Sequence, residues 1–372
     1  MNTLEKFLLM TTFAPVLPAP STQGALLAPS LRLDHLLRMT DSTGMFQHAI
    51  YSVPDFNHGY CTDDNARALS LTVMAGGLGQ NAQMLERLRS IYLAFLFYAL
   101  PSDGGRFRNF LSFDRRWLEP EGSEDSHGRA LWALGTCLEH GLADAQGALA
   151  RELFNRATAD LPELTSLRAI AFCLLGLGSY SRFDIAEEKY CSVHRELAER
   201  LFRAFREHGQ PEWPWCEPFL SYDNARLPQA LIRSGRCLQR PDMIEEGVRA
   251  LGWLMQQQLG QASHLRPPGC DWVFYRGGPW PDYDQQPVEV WADVSACLEA
   301  YGASDEICWW NWARDSFDWF LGRNDLGRPV YDSRTGGCRD GLQRDRMNQN
   351  QGAESTLAFL SALVEMRKNP GM

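Results

Sequence analysis

At 372 residues, with 45% hydrophobic content, 12 Trp, 11 Tyr and 19 Phe, the chain carries enough apolar side chain for one large domain or two ordinary ones. A formal net charge of -10 argues against nucleic acid as a partner, since phosphate backbones require clustered Lys and Arg. Ten cysteines are scattered singly with no C-x-x-C pair, which speaks against thiolate zinc and thiol redox chemistry and for reduced cysteines in a cytoplasmic protein, secretion being the alternative.

In chain order, a short FLLM run is followed by Pro15, Pro18 and Pro20, and Glu5 beside Lys6 leaves no positive leader segment. Residues 1 to 28 therefore read as a poorly ordered N-terminal arm, and no membrane span is expected. Helical patterning starts at Leu31, with Leu33, Leu36 and Leu37 on one face, and stops before Asp41-Ser42-Thr43-Gly44. A loop over residues 45 to 61 follows, rich in His48, Tyr51, Phe56, His58 and Tyr60.

Next comes YCTDDNARAL, in which Asp63 and Asp64 head an apolar helix that runs to Ala75. Carboxylates at a helix start accept free backbone N–H groups and meet the positive end of the dipole, but capping needs only one. Residues 82 to 99 read as a second helix, and residues 105 to 117 as a short hairpin or extended loop. The alternation then continues. Apolar helices are expected over 123–139, 165–177, 223–234, 288–301 and 350–366, with more polar ones over 144–161, 183–207, 242–259 and 304–321. Irregular stretches fill 264–287 and 322–349, and strand patterning is nearly absent.

The double-acid start recurs. Asp63 and Asp125 stand four residues ahead of Arg67 and Arg129, while Asp64 and Asp223 stand three ahead of Arg67 and Arg226. Six apolar helices begin near Asp64, Asp125, Ser166, Asp223, Glu289 and Glu354, each separated from the next by a more polar one. Six buried and six covering helices predict an all-α (α/α)6 toroid, one domain over residues 29–368 with long loops at the cleft end. Closing the ring gathers those acids at one end.

Several acids around one cleft suit glycoside hydrolysis, in which one carboxylic acid protonates the leaving oxygen and another activates water or attacks. Asp125 or Glu354 is the candidate acid, and Asp64 or Asp223 the candidate base. Tyr60, Asp63, His58, His127, Arg129, Trp213, Trp215, Tyr222, Trp272, Trp280, Glu289 and Asn350 are candidate contacts to an oligo- or polysaccharide, because aromatic faces flanked by acids and amides match sugars. The competing explanation is structural: Asp64 and Asp223 as helix caps, the three arginines as ion-pair scaffolding, and Trp309, Trp310, Trp312 and Trp319 as core. The histidines show no H-E-x-x-H spacing, and Gly76-Gly77 and Gly336-Gly337 lack a Walker lysine, so neither a metal nor a cofactor is expected.

The stretches HLLRMTDSTGMFQHA, HGYCTDDNARAL, SYDNARLPQAL, WFLGRNDLGRPVYDSRTGGCRDGL and NQNQGAESTLAFLSALVEM resemble a bacterial family labelled glycosyltransferase-associated. Its members occur alone or joined to a retaining-type glycosyltransferase domain. At fold level the chain is also similar to (α/α)6 helical-barrel glycoside hydrolases. The resemblance implies a carbohydrate-active role with a glycosyltransferase as a partner. Beside the hydrolase it leaves two alternatives: a sugar epimerase or lyase in which His48, His58 or His127 moves protons, and a non-catalytic glycan-binding scaffold.

Overall fold

The protein is described from a computed structural model covering residues 27–142, 144–159, 161–183, 188–259 and 264–370. Most of the N-terminal arm expected over residues 1 to 28 lies outside the described residues. Within them the chain forms twelve α-helices: α1 (Asp34–Arg38), α2 (Thr62–Met74), α3 (Ala82–Ala99), α4 (Glu124–Glu139), α5 (Asp144–Ala157), α6 (Leu167–Phe183), α7 (Glu188–His208), α8 (Arg226–Cys237), α9 (Pro241–Leu259), α10 (Pro287–Ser304), α11 (Ile307–Phe320) and α12 (Ala353–Lys368).

The even-numbered helices are the apolar ones, and they form the inner ring. Each packs on the next, and α12 returns to α2, so the ring closes. In α12 every residue from Ser355 to Val364 is buried, and in α10 the run from Pro287 to Cys297 is buried throughout. The odd-numbered helices α3, α5, α7, α9 and α11 each cover the inner helix that precedes them. They need one apolar stripe only: α7 buries Tyr190, His194, Leu197, Ala198, Leu201 and Phe205 and leaves its remaining face polar.

Five long outer helices are present among the described residues, against six expected. The remaining outer position, beside α12, is taken by the five-residue α1. Its buried His35 donates from Nε2 to the Gln351 carbonyl, 2.8 Å away. The hydrophobic stripe starting at Leu31 is thus real but short, because Asp41 folds back to accept the N–H groups of Thr43 and Gly44.

The tightest inner contact joins α4 to α6. A Cβ on Gly135 would lie 2.3 Å from the Gly176 carbonyl oxygen, so the two glycines bring the backbones together. Among the described residues strands are limited to five two-residue pairs in the loops. One joins Tyr60–Cys61, directly before α2, to Phe110–Leu111, which lies in the segment leading to α4. Another joins Phe219–Leu220, ahead of α8, to Phe274–Tyr275, ahead of α10. The inner-helix starts are thereby stitched together in pairs. No described helix is long and apolar enough to cross a membrane.

Candidate active site

The recurring acids do meet at the N-terminal end of the inner ring, but they do not cap. The residue before α2 is Cys61, with no side-chain cap, and that before α4 is Ser123, whose hydroxyl accepts from Ser126 N–H at 3.1 Å. Asp223 precedes α8 in a left-handed conformation (φ 50), which ends the approach strand and turns its carboxylate into the ring. Their partners are the arginines, whose charge opposes the dipole at these positions.

Arg67 reaches Asp64 at 2.8 Å and Glu354 at 2.9 Å, joining α2 to α12. Arg129 reaches Asp223 at 2.8 Å and Asp63 at 3.6 Å, joining α4 to the start of α8 and to α2, and its guanidinium lies 4.0 Å from the Phe172 ring. Arg226 reaches Asp223 at 3.2 Å and Gln229 at 2.7 Å, and it lies over both the Trp132 and Trp291 rings. Glu289 of α10 accepts the backbone N–H groups of Asp223 and Asn224 and the Asn224 side-chain amide. The four side chains Asp64, Asp223, Arg67 and Arg226 are all at least nine-tenths buried.

Burial and crowding set the protonation of this layer. Burial, reinforced by Glu354 and Asp63, pushes Asp64 up to about 7 against the pull of Arg67. Arg67 is shared between Asp64 and Glu354, with the Asp63 charge nearby, so the buried Asp64 is biased toward its protonated form near neutrality. Burial likewise lifts Glu289 to about 7, with the Asp223 charge adding to it. At Asp223 burial acts upward too, but Arg129, Arg226 and Arg67 outweigh it and hold the carboxyl below its usual range. Asp293, one turn below Glu289, is raised by burial and accepts from the Gln258 side-chain amide at 3.0 Å.

Above this layer the open groups are Asp63, Asp125, Tyr222 and Glu354. The Ser126 hydroxyl donates to Asp63, and the Tyr222 hydroxyl donates to Asp125, whose carboxyl is raised by burial. The Glu354 side chain is 43% exposed. The loop over 45–61 is sewn to the start of α12: Ala353 N–H donates to the Gln47 carbonyl at 3.0 Å, and Tyr51 N–H to Asn350 Oδ1 at 2.9 Å. That seam brings His48 into the field of Glu354 and Asp340. His48 and the exposed His58 meet edge to face with ring centroids 4.6 Å apart. Burial, then His58, holds the His48 imidazole below its ordinary pKa.

Of the residues singled out from the sequence, Asp63, Asp64, Asp125, Arg129, Tyr222, Asp223, Glu289 and Glu354 form one connected network, and Asn350 and His58 lie in the loops beside it. Five others are core or scaffold side chains. Tyr60 packs on Phe46 and gives its hydroxyl to Asp41 at 2.7 Å. His127 turns to the Ala157 carbonyl at 2.8 Å. Trp213 and Trp215 are buried against Trp253. Trp280 packs on Phe274, while Trp272 is 47% exposed in the loop ahead of α10. Asp340 was not singled out. It accepts Gly352 N–H at 2.7 Å and is raised by burial; its only sequence signal is its place in the glycine-rich TGGCRDGL stretch. Among the described residues no group of three or more His, Cys, Asp or Glu is arranged to hold a metal ion.

No protein-family model matches the chain, and no curated protein matches its sequence. Solved structures do match it in fold. A sugar epimerase from a ruminal bacterium superposes with TM-score 0.67 at 12% identity, over 91% of this chain and 95% of that one. A cellobiose 2-epimerase from Bacillus thermoamylovorans gives TM-score 0.68 at 10% identity over 90% and 96% of the two chains. A D-mannose isomerase gives 0.66 at 13% identity over 90% and 94%. At these identities the likeness establishes the shared (α/α)6 toroid.

Proposed function

We propose that the protein is a carbohydrate-active enzyme that moves protons on a reducing sugar, an epimerase or isomerase, with His48 and His58 as the proton-transferring pair and Glu354 beside them. The observation that carries this reading is the edge-to-face contact of His48 and His58 at 4.6 Å in the loop joined to the start of α12. A neutral imidazole accepts a proton from the carbon next to a carbonyl, and the pair returns one to the resulting enediolate. Arg67 and Arg129 supply positive charge beneath the mouth, where an enediolate oxygen develops charge. Asp64 and Asp223, by contrast, are locked in ion pairs below the surface. The fold likeness to two sugar epimerases and an isomerase supports the same reading.

The test is incubation of D-glucose, D-mannose and cellobiose with the protein in D2O, followed by proton NMR. Loss of the signal at the carbon next to the carbonyl, with appearance of the epimer or ketose, is expected; H48N and H58N should each abolish it. A second reading is glycoside hydrolysis by Asp125 and Glu354, favoured by their openness and by the raised Asp125 carboxyl. Products heavier by one water, with no deuterium exchange, would select hydrolysis. Binding of glycan with neither change would select the scaffold role beside a glycosyltransferase.

A further inference from the structure

One cavity among the described residues lies away from the acid end. It runs along the axis of the toroid, with a volume of about 370 Å³, from Arg67 and Arg129 down to Lys368, Gly302 and His140. Lys368 closes α12, Gly302 lies in the last turn of α10, and His140 follows α4, so the cavity opens where the inner helices end. A volume of a few hundred Å³ falls in the range of small-molecule sites.

Its walls are of three kinds. Trp132 and Trp291 are near-parallel, with ring centroids 5.9 Å apart and planes at 8°, and give the cavity flat apolar surface. Carboxylates line it as well: Glu299 bridges Arg233 at 2.6 Å and Arg236 at 2.7 Å, while Glu365 accepts from Trp291 Nε1 at 3.0 Å and from the Ser295 hydroxyl. Donors complete the set. Arg67 Nε and Arg129 Nη1 are buried and make no hydrogen bond among the described residues, although both side chains border the cavity. A buried guanidinium N–H without an acceptor is costly, and an acceptor entering the cavity relieves it.

Arg67, Arg129, Arg233, Arg236 and Lys368 on this lining outnumber Glu139, Glu299 and Glu365, but Arg67 and Arg129 are already paired with the acids of the mouth, so a strongly charged ligand gains little from it. A polyhydroxylated ring accepts from the arginines, donates to the glutamates and lays its C–H face on an indole. We propose that this axial cavity is a second binding site, for a neutral polyol of monosaccharide to disaccharide size, entered from the end opposite the acids. The ligand touches the undersides of Arg67 and Arg129, whose other contacts hold Glu354 and Asp63, and so bears on the mouth through two shared side chains. The site stands independently of the reaction assigned to the mouth.

Gly302→Phe blocks the entrance at little structural risk, since a Cβ there meets only the Arg236 guanidinium, at 3.4 Å. Ser70→Phe fills the cavity from its side wall. Binding of D-glucose, D-mannose, cellobiose and sorbitol, with inorganic phosphate as the charged control, is measured by saturation-transfer NMR on the wild type, both variants and H48N. The expected result is that at least one polyol binds the wild type and H48N alike and binds Gly302→Phe and Ser70→Phe at least tenfold more weakly. Absence of polyol binding to the wild type and H48N overturns the proposal. So does polyol binding that is lost in H48N and unchanged in both cavity variants, or phosphate in place of polyol as the ligand lost in those variants. Circular dichroism on each variant verifies that the fold is retained; if one variant unfolds, the other decides.

Discussion

Arg226 offers the most direct test of the ion-pair layer. Its side chain is fully buried, it reaches Asp223 at 3.2 Å and Gln229 at 2.7 Å, and its guanidinium lies 4.9 Å and 4.2 Å from the Trp132 and Trp291 ring centroids. Arg226→Met keeps the apolar stem and removes the charge. Asp223 then keeps Arg129 alone, at 2.8 Å, as its close cation. Breaking a buried pair by deleting one partner costs about 3–5 kcal/mol, because the other charge stays desolvated. Asp223→Asn deletes the opposite partner and should cost a similar amount. Because both changes remove the same contact, the double variant should be less destabilised than the two single costs added, by about 1–3 kcal/mol. Urea unfolding followed by tryptophan fluorescence, which the indoles beside Arg226 report locally, measures all three. Costs that add within about 0.5 kcal/mol would refute the coupling and leave Arg226 as a packing residue only.

Gly135→Ala should destabilise by about 1–3 kcal/mol, since its Cβ would sit 2.3 Å from the Gly176 carbonyl and force α4 away from α6. Gly302→Ala, with nothing nearer than 3.4 Å, is the matched control and should be neutral or slightly stabilising in the same denaturation assay. Asp64 makes a pH prediction. Its folded pKa of about 7 lies above the ordinary 3.8, so between about pH 4 and pH 7 the folded state holds a proton that the unfolded state has lost, and stability from this group falls as pH rises through that window. D64N cannot titrate; its Tm relative to wild type should climb from pH 5 to pH 7.5, and a flat difference would show that Asp64 ionises normally. Glu354→Gln, at an open position, should leave the fold intact and lower kcat by about a hundredfold or more if Glu354 acts in proton transfer. An unchanged kcat removes it from the mechanism.

The ring itself was legible because burial demands are unequal. Inner helices need apolar residues all round and outer ones need a single stripe, and that contrast survives in the sequence without any knowledge of contacts. The arginine register was legible for the same reason: a cation in a first helical turn is out of place unless a carboxylate answers it. Side-chain direction was not legible. Trp213 and Trp215 precede an inner helix much as Trp272 does, yet the turn over residues 210–213 faces them inward onto Trp253, while Trp272 remains exposed. His48 and Asp340 come together because backbone hydrogen bonds sew distant loops to α12, a pairing that carries no periodic signature.

Asp63 and Asp64 bring these points together. Consecutive side chains on a helix diverge by about 100°, so two adjacent acids cannot serve one partner. Asp64 turns inward to Arg67, and Asp63 reaches across to Ser126 and Arg129 on α4. Asp63 is therefore the tie between the first and second inner helices, as Glu354 is the tie between the first and the last. Around these ties carboxylates outnumber guanidiniums, and the excess is held as protons on Asp64 and Glu289 rather than as free charge. The layer that closes the ring thus balances its charge by protonation as well as by ion pairing.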